Sequence, residues 1–379
     1  MNSFQTSLIT TFSDFSNLEK EWNELVDNND YDITLLHEWL TTWWQVFGDE
    51  SRELFIITVR KNDQLVGIAP LLRRKVKYFK LIPSHRLEFI GSGESEADEI
   101  CSDYLDFIIR KENRIEILET LLEHLMSLKS QWQEILLTDI KSESTNLQII
   151  KDKLPQYNLK TNQLQQAECP YIQLPNSWEE LKKTTKINTR EQLNRKIRLL
   201  EKEGKVEYKT YKSDEISEDV FDSFIKLHQK RWASEGKPGC FSSVKFTNFH
   251  TSLLKKLTPK DSPRLFFIYL NDKPIAARYC FQYNNTSYDY LPGLDPDISR
   301  KISHGFLGLA YSIEQSISNS NQKFDFFKGK IGSYKYKWTG LNTQISQYRI
   351  IDSSLKNHFI TLIENNFQLA RQLKKATLP

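Results

Sequence analysis

Apolar residues along this chain recur at two spacings, and the chain switches between them many times. LFIITVRKNDQLVGIA (54–69) and LFFIYLNDKPIAA (265–277) share one layout: an apolar β-rich run, an Asn-Asp pair, then a second run containing small residues. Asn-Asp between two such runs predicts a tight turn, so each segment is read as a β-hairpin. A helical segment with Leu-His and tryptophan precedes each hairpin, LLHEWL (35–40) and KLHQKRW (226–232). Asp-Tyr-Leu follows each, in DYLDF (103–107) and DYLPGLD (289–295). Helix, hairpin and Asp-Tyr-Leu recurring in one order predict two copies of one unit.

The remaining pattern fills in both copies. In the first, helices are expected near 16–26, 36–47 and 113–130, with strands at 53–60, 64–73, 86–91, 104–109 and 134–138. A polar stretch of strand or loop character, 151–168, leads into the second copy near Cys169. There, helices are expected at 177–183, 187–204, 217–233, 244–257 and 303–319. Strands are expected at 205–211, 264–270, 274–283, 286–294 and 323–327. Alternating strands and helices give an α/β or α+β class with mixed sheets. The division is expected to be 1–165 and 166–379.

Composition narrows the class. With 379 residues, 39% hydrophobic and 27% charged, the chain is long enough for two cores. A net charge of +3 argues against bulk nucleic-acid binding. The four cysteines form no CxxC pair, so they read as reduced thiols, with neither a zinc site nor a disulfide framework. The start of the chain lacks a signal-peptide pattern and no apolar run reaches the roughly 18–20 residues of a membrane span, so a cytoplasmic protein without a metal is expected.

Four stretches could carry chemistry. In ISHGFLGLAYSIEQSI (302–317), Ser303 is a candidate N-cap and His304-Gly305-Phe306 would form the first helical turn, offering free N–H groups to an anion such as a pyrophosphate. Alternatively, Gly305 and Gly308 serve only close packing. The helix over 185–205 carries Arg190, Arg195, Lys196 and Arg198, suited to phosphate or simply a solvated face. His228 and Trp232 share a helix face, as a base beside a ring or as packed groups. Last, FDFFKGKIGSYKYKW (324–338) places Asp325 opposite Phe324 and Phe326 by strand alternation, followed by Lys330, Tyr334, Lys335, Lys337 and Trp338. Such a carboxylate could take a proton from an amine, with lysines holding oxyanion or phosphate charge; equally, the rings could pin a loop.

Taken together, these stretches resemble the Fem-like branch of the GNAT acyltransferases, which includes the CelD-type proteins. The resemblance rests on HEWLTTWWQVFG (37–48), LVGIAPLLRR (65–74), LEFIGSG (87–93), SDYLDFI (102–108), TREQLNRKIRLLEKEGKVEYK (189–209), LHQKRW (227–232), PIAARYCF (274–281), YDYLPGLDPD (288–297), SHGFLGLAYSIEQ (303–315) and FDFFKGKIGSYKYKW (324–338). His304 stands where the family commonly has proline, and Lys330 where it usually has an acidic residue. The resemblance implies two tandem GNAT-like domains with mixed, mostly antiparallel sheets flanked by helices, and a cleft mainly in the second copy. It implies acyl-CoA, such as acetyl-CoA, as co-substrate, with its phosphates near Ser303, His304, Gly305, Phe306, Arg195, Arg198 and Lys328. Asp325, Lys335, Tyr334 and His228 would be the catalytic groups, and Asp103, Tyr104, Trp232, Tyr290, Asp295 and Trp338 would bind substrate. The acceptor would be an amine on a small molecule or polymer precursor, such as an amino sugar. Two alternatives stand beside this: a Fem-type peptidyltransferase using aminoacyl-tRNA, and a non-catalytic scaffold.

Overall fold

The computed structural model describes residues 4–78, 81–257, 263–330 and 332–352. The first copy runs β1 (Phe4–Ile9), α1 (Phe12–Ser16), α2 (Glu19–Asp27), α3 (His37–Phe47), β2 (Arg52–Lys61), β3 (Gln64–Tyr78), β4 (Ile82–Phe89), β5 (Ile108–Ile109), α4 (Arg114–Ser127), β6 (Glu134–Lys141) and α5 (Thr145–Lys153). A long strand, β7 (Leu159–Gln173), leads to α6 (Trp178–Thr184), α7 (Ile187–Glu201), β8 (Val206–Tyr211), α8 (Glu218–Ser234) and α9 (Val244–Lys256). Then come β9 (Pro263–Leu270), β10 (Lys273–Tyr283), β11 (Thr286–Leu294), α10 (His304–Ser318), β12 (Lys323–Asp325) and β13 (Asn342–Asp352).

Both expected hairpins form. Asn62-Asp63 and Asn271-Asp272 each take positive φ at both turn positions (51° and 61°; 50° and 64°). That turn matches the right-handed twist of the strands it joins. All described strands lie in one path, β1-β2-β3-β4-β6-β13-β7-β12-β11-β10-β9-β8, with β5 beside β3. The two copies share a pattern. β1-β2-β3-β4 and β8-β9-β10-β11 are antiparallel runs, and each is closed by a parallel partner, β6 or β12. In the middle, β13 pairs antiparallel with both β6 and β7, so the last described strand completes the first copy's sheet.

Three features depart from the sequence reading. The polar stretch 151–168 takes up its strand character as most of β7, whereas α1, α5, β1 and β13 were not anticipated. The strand expected over 104–109 shortens to Ile108–Ile109, because Tyr104 is held at φ 70° in a turn. The two Asp-Tyr-Leu segments are therefore not equivalent: Asp289 and Tyr290 lie within β11, whereas Asp103 and Tyr104 lie in the loop after β4.

Aromatic packing locks the copies together. The Trp39 ring, fully buried on α3, meets Phe249, Phe281 and Tyr290 of the second copy at 5.3, 5.4 and 6.3 Å between centroids. A buried ionic knot does the same for β13. Glu134 accepts from Arg86 Nε at 2.8 Å and from Arg349 Nε at 2.7 Å, and Tyr78 donates to it. Removing the shared acceptor takes the carboxylate from the Arg86 and Arg349 guanidiniums, the latter buried. Glu134→Ala should therefore lower unfolding free energy by about 3–5 kcal/mol in urea titrations. A loss below about 1 kcal/mol would show that the knot is dispensable.

Candidate active site

β4 and β6 pair only from Arg86–Glu134 to Glu88–Leu136 and then diverge. The gap is a cleft of about 500 Å³, lined among others by Ser92, Glu94, Thr138, Asp139 and Lys328. Through Glu99, Cys101, Gln166, Ala167 and Lys328 it runs into a second space of about 620 Å³ that reaches Gly329 and Lys330. These two connected clefts lie in the first copy and at its junction with the second. β12 is short and its chain turns into the junction instead of extending the sheet.

That turn places Lys328. Phe327 sits at φ 53° and stacks on Tyr288 at 5.1 Å. Its N–H donates to Asp325 Oδ1 at 2.8 Å, and the Lys328 N–H donates to Asp103 Oδ2 at 2.6 Å. Lys335 Nζ donates to the carbonyls of Phe326 and Lys328 at 2.6 and 2.8 Å. The Lys328 ammonium then reaches Asp139 Oδ2 at 2.8 Å and Asp103 Oδ1 at 3.7 Å. Among described non-glycine residues with positive φ, only Cys101, Tyr104 and Phe327 are not Asn, Asp or Ser, and all three border this cluster. Asp139, at φ 53°, is a fourth strained member. Side chains in this region cost energy that the surroundings must offset, and such strain concentrates at functional sites.

The electrostatics follow from burial. Burial alone would depress the Lys328 ammonium, but Asp103 and Asp139 outweigh it and hold its pKa well above the ordinary lysine value. Burial, reinforced by the Asp139 charge, pushes the Asp103 carboxyl up to about 7. On the opposite wall, burial pushes Glu94 up to about 7 against the hydrogen bond it accepts from Trp43 Nε1 at 2.7 Å.

The structure gathers Asp103, Tyr104, Asp325, Lys328 and Lys335 into one cluster and scatters the rest. Asp325 is fully buried, accepting from Tyr104 OH at 2.9 Å and pairing with Lys323 at 2.7 Å, so it holds the junction and does not face the cleft. Strand alternation does set it opposite Phe324 and Phe326, as expected. His228 is buried, with Nδ1 2.8 Å from the Pro292 carbonyl and Nε2 3.1 Å from Cys240 Sγ, which makes it a packed group. Beside it, Trp232 carries Arg231 and Lys237 over its ring. Tyr290 is internal, donating to the Ile100 carbonyl at 2.5 Å, and Asp295 pairs with Lys230 at 2.6 Å. Arg195 and Arg198 are exposed on α7, and Arg198 Nε donates to its own helix at the Asn194 carbonyl. Asp139, Glu94 and Cys101 escaped the sequence reading; the glycines on either side of Ser92, just before Glu94, were the nearest signal.

A second arrangement surrounds the start of α10. Ser303 occupies the N-cap position at φ 55°, but its hydroxyl donates to the Arg300 carbonyl and caps nothing. Gly305 is needed for packing, since a Cβ there would lie 2.9 Å from Leu294. Tyr334 OH receives a hydrogen bond from Arg278 at 3.3 Å, and Trp338 stacks on Phe306 at 5.3 Å. Four neighbours keep buried polar atoms without a hydrogen-bond partner: both His304 ring nitrogens, Arg278 Nε, Ser333 Oγ and Trp338 Nε1.

Comparison with known proteins agrees with this architecture. Residues 188–337 match the family model described as an acetyltransferase (GNAT) domain. Among solved structures, FemX is similar at 14% identity, with 95% of this chain and 100% of that chain covered and a TM-score of 0.61. L-PGS from Bacillus licheniformis is similar at 12% identity, covering 91% and 95%, with a TM-score of 0.53. The C-terminal domain of a putative lysylphosphatidylglycerol synthetase from Agrobacterium fabrum is similar at 8% identity, covering 93% and 96%, with a TM-score of 0.52. No curated protein sequence matches. The chain shares its overall fold with FemX, and the match to the acetyltransferase (GNAT) domain model falls within its second copy. Among the described residues, no group of His, Cys, Asp and Glu is placed to hold a metal, and no helix is long and apolar enough to cross a membrane.

The buried histidines predict a pH response. Burial pushes His228 down to about 4 and His250 to about 3, so the unfolded chain, titrating near 6.5, binds more protons in acid. Stability should fall as pH drops below about 6.5, read as a declining urea midpoint between pH 7 and 4.5. The decline should be shallower in His228→Gln. An equal slope in both proteins would assign the acid sensitivity elsewhere.

Proposed function

We propose that this protein is an N-acyltransferase that moves an acyl group from acyl-CoA to a primary amine on a small molecule or polymer precursor, such as an amino sugar. The observation that carries this reading is the set of unsatisfied buried donors at the start of α10. Arg278, which donates to the Gly305 carbonyl, and Trp338, stacked on Phe306, bring Nε and Nε1 without partners beside the N-terminus of α10, where backbone N–H groups and the helix dipole favour an anion. Buried donors without partners are costly, and a ligand presenting phosphate and amide oxygens would satisfy them. In this reading the second copy (166–379) holds the donor, while the first (1–165), completed by β13, holds the acceptor in the cleft. The turn from Tyr334 to Trp338 links the two, because Tyr334 and Trp338 touch the donor side and Lys335 braces Lys328.

At the junction, Lys328 would stabilise the negative charge that develops on the carbonyl oxygen, and Asp139 would accept a hydrogen bond from the acceptor's neutral amine. Asp103, fully enclosed, sets the position and charge of Lys328. A second reading, aminoacyl-tRNA as donor, draws on the exposed cations Lys183, Lys186, Arg195 and Arg198 along α6 and α7.

Thermal shift decides between donors. Acetyl-CoA or a longer acyl-CoA should raise the melting temperature by mass action, and His304→Ala should shrink that rise. No rise with any acyl-CoA, together with tRNA binding that weakens steeply with salt, would replace the first reading with the second. For transfer itself, Lys328→Ala should lower kcat about 10²–10³-fold while leaving the donor-induced shift in place. Near-normal turnover in that variant would remove Lys328 from the reaction.

A further inference from the structure

The cleft wall facing Lys328 carries a carboxyl that no step above uses. Glu94 follows Gly91-Ser92-Gly93, in the loop that leaves β4 where β4 and β6 separate. Gly91 and Gly93 have φ of 101° and 86°, and a Cβ on Gly93 would lie 2.4 Å from Glu88 Oε2. The loop is tied down from outside, since Arg52 and Arg74 each donate to the Gly93 carbonyl, at 3.0 and 2.8 Å. Glu94 itself is held through its carboxyl. Its Oε1 accepts from Trp43 Nε1 at 2.7 Å and lies 3.4 Å from the Ile100 N–H, while the residue lines the same 500 Å³ cleft as Asp139 and Lys328. Trp43 thus holds Oε1, and the backbone N–H of Glu94 itself adds a hydrogen bond to the carboxyl, which fixes its orientation at the cleft.

From this arrangement we infer that Glu94 is the general base for acyl transfer, taking the proton from the acceptor amine bound between the 91–101 loop and Asp139. The inference rests on the acyltransferase reading above and deepens it by assigning the acceptor's place and its base. The amine nitrogen forms a bond to the donor's carbonyl carbon, and the carbonyl electron pair moves onto oxygen beside Lys328. The proton released from nitrogen goes to the carboxylate of Glu94. As the carbonyl re-forms, the bond to the donor's sulfur breaks, and the departing thiolate takes the proton from Glu94, directly or through water, which returns the carboxylate to its starting form. The net products are an amide and a free thiol.

The surroundings suit such a group. Burial raises the Glu94 pKa towards neutrality, the Trp43 hydrogen bond opposes that rise, and Glu99 adds to it. Glu88 and the guanidiniums of Arg52 and Arg74 face the same loop from β2, β3 and β4. Tyr290 approaches from β11, and Asp139 and Lys328 line the far wall. A base that titrates near the working pH exists half in the form that accepts a proton and is still strong enough to take one.

The test compares pH–rate profiles of the wild type, Glu94→Gln, Trp43→Phe and Asp103→Asn. Release of CoA from acetyl-CoA is followed with the best amine from a panel of amino sugars and diamines. Variant rates are divided by wild-type rates at each pH, so that the acceptor's own ionisation cancels. Glu94→Gln should lose about 10²-fold or more in kcat and lose the acid limb near pH 7, with the acetyl-CoA thermal shift unchanged. Trp43→Phe removes a hydrogen bond to the carboxylate and should move that limb to higher pH. Persistence of the limb in Glu94→Gln, or its disappearance in Asp103→Asn alone, overturns the assignment. Wild-type protein that transfers to no amine while binding acetyl-CoA would instead sink the acyltransferase reading on which it rests.

Discussion

The antiparallel ladder between β7 and β13 is the constraint on which the rest of the structure depends. It joins two five-strand runs into one sheet, and it does so by giving the first copy a strand from the far end of the described chain. Because β13 is shared in this way, the loop after β4 and the turn after β12 come face to face. Asp103 and Lys328 are 225 residues apart in sequence, yet a backbone hydrogen bond joins them at the junction. Neither copy alone could place an ammonium between two carboxylates there.

Burying that ammonium is expensive, and the protein offsets the cost locally. Lys328 is partly enclosed, Asp103 wholly so, and each carboxylate would be destabilised without the cation. Backbone strain adds to the cost at Cys101, Tyr104, Asp139 and Phe327. Against this stand short hydrogen bonds to the turn, a ring stacked on Phe327, and Lys335 bridging two carbonyls. The segment from Tyr334 to Trp338 distributes its grip widely. Tyr334 meets β10, Lys335 the end of β12, Tyr336 meets Glu168 on β7, and Trp338 meets α10 and α6. Its rings do pin a loop, and the loop they pin carries the lysine.

How much of this was legible depended on the range of the interactions. Hairpins at Asn62-Asp63 and Asn271-Asp272 are written locally, because two turn residues decide them. Apart from α5, the helices from α3 to α10 follow from spacing and caps within a few residues. β13 was missed because its pairing is set by partners far away, and β7 was left open between strand and loop because its alternation is weak in a polar stretch. At the site, Asp103, Tyr104 and Lys328 stood out through motifs, but their meeting did not. Asp325 and His228 looked chemical and prove internal, since a one-dimensional pattern shows which face a residue takes and not what covers that face. Asp139 and Cys101 carried no mark, because a left-handed backbone at such residues arises from tertiary context alone.

The shared strand also has a consequence for how the chain is made. On a ribosome, the first copy emerges with β6 as a bare edge, and β7 follows with no partner along most of its length. Both edges wait while roughly two hundred further residues are synthesised, a wait of about 10–40 s at ordinary elongation rates. During that interval β7 presents Thr-Asn-Gln-Leu-Gln-Gln, a stretch poor in large apolar groups, where a hydrophobic edge would invite other chains. The polar composition that left this stretch open between strand and loop is thus the composition that lets the nascent chain stay open until its closing strand arrives.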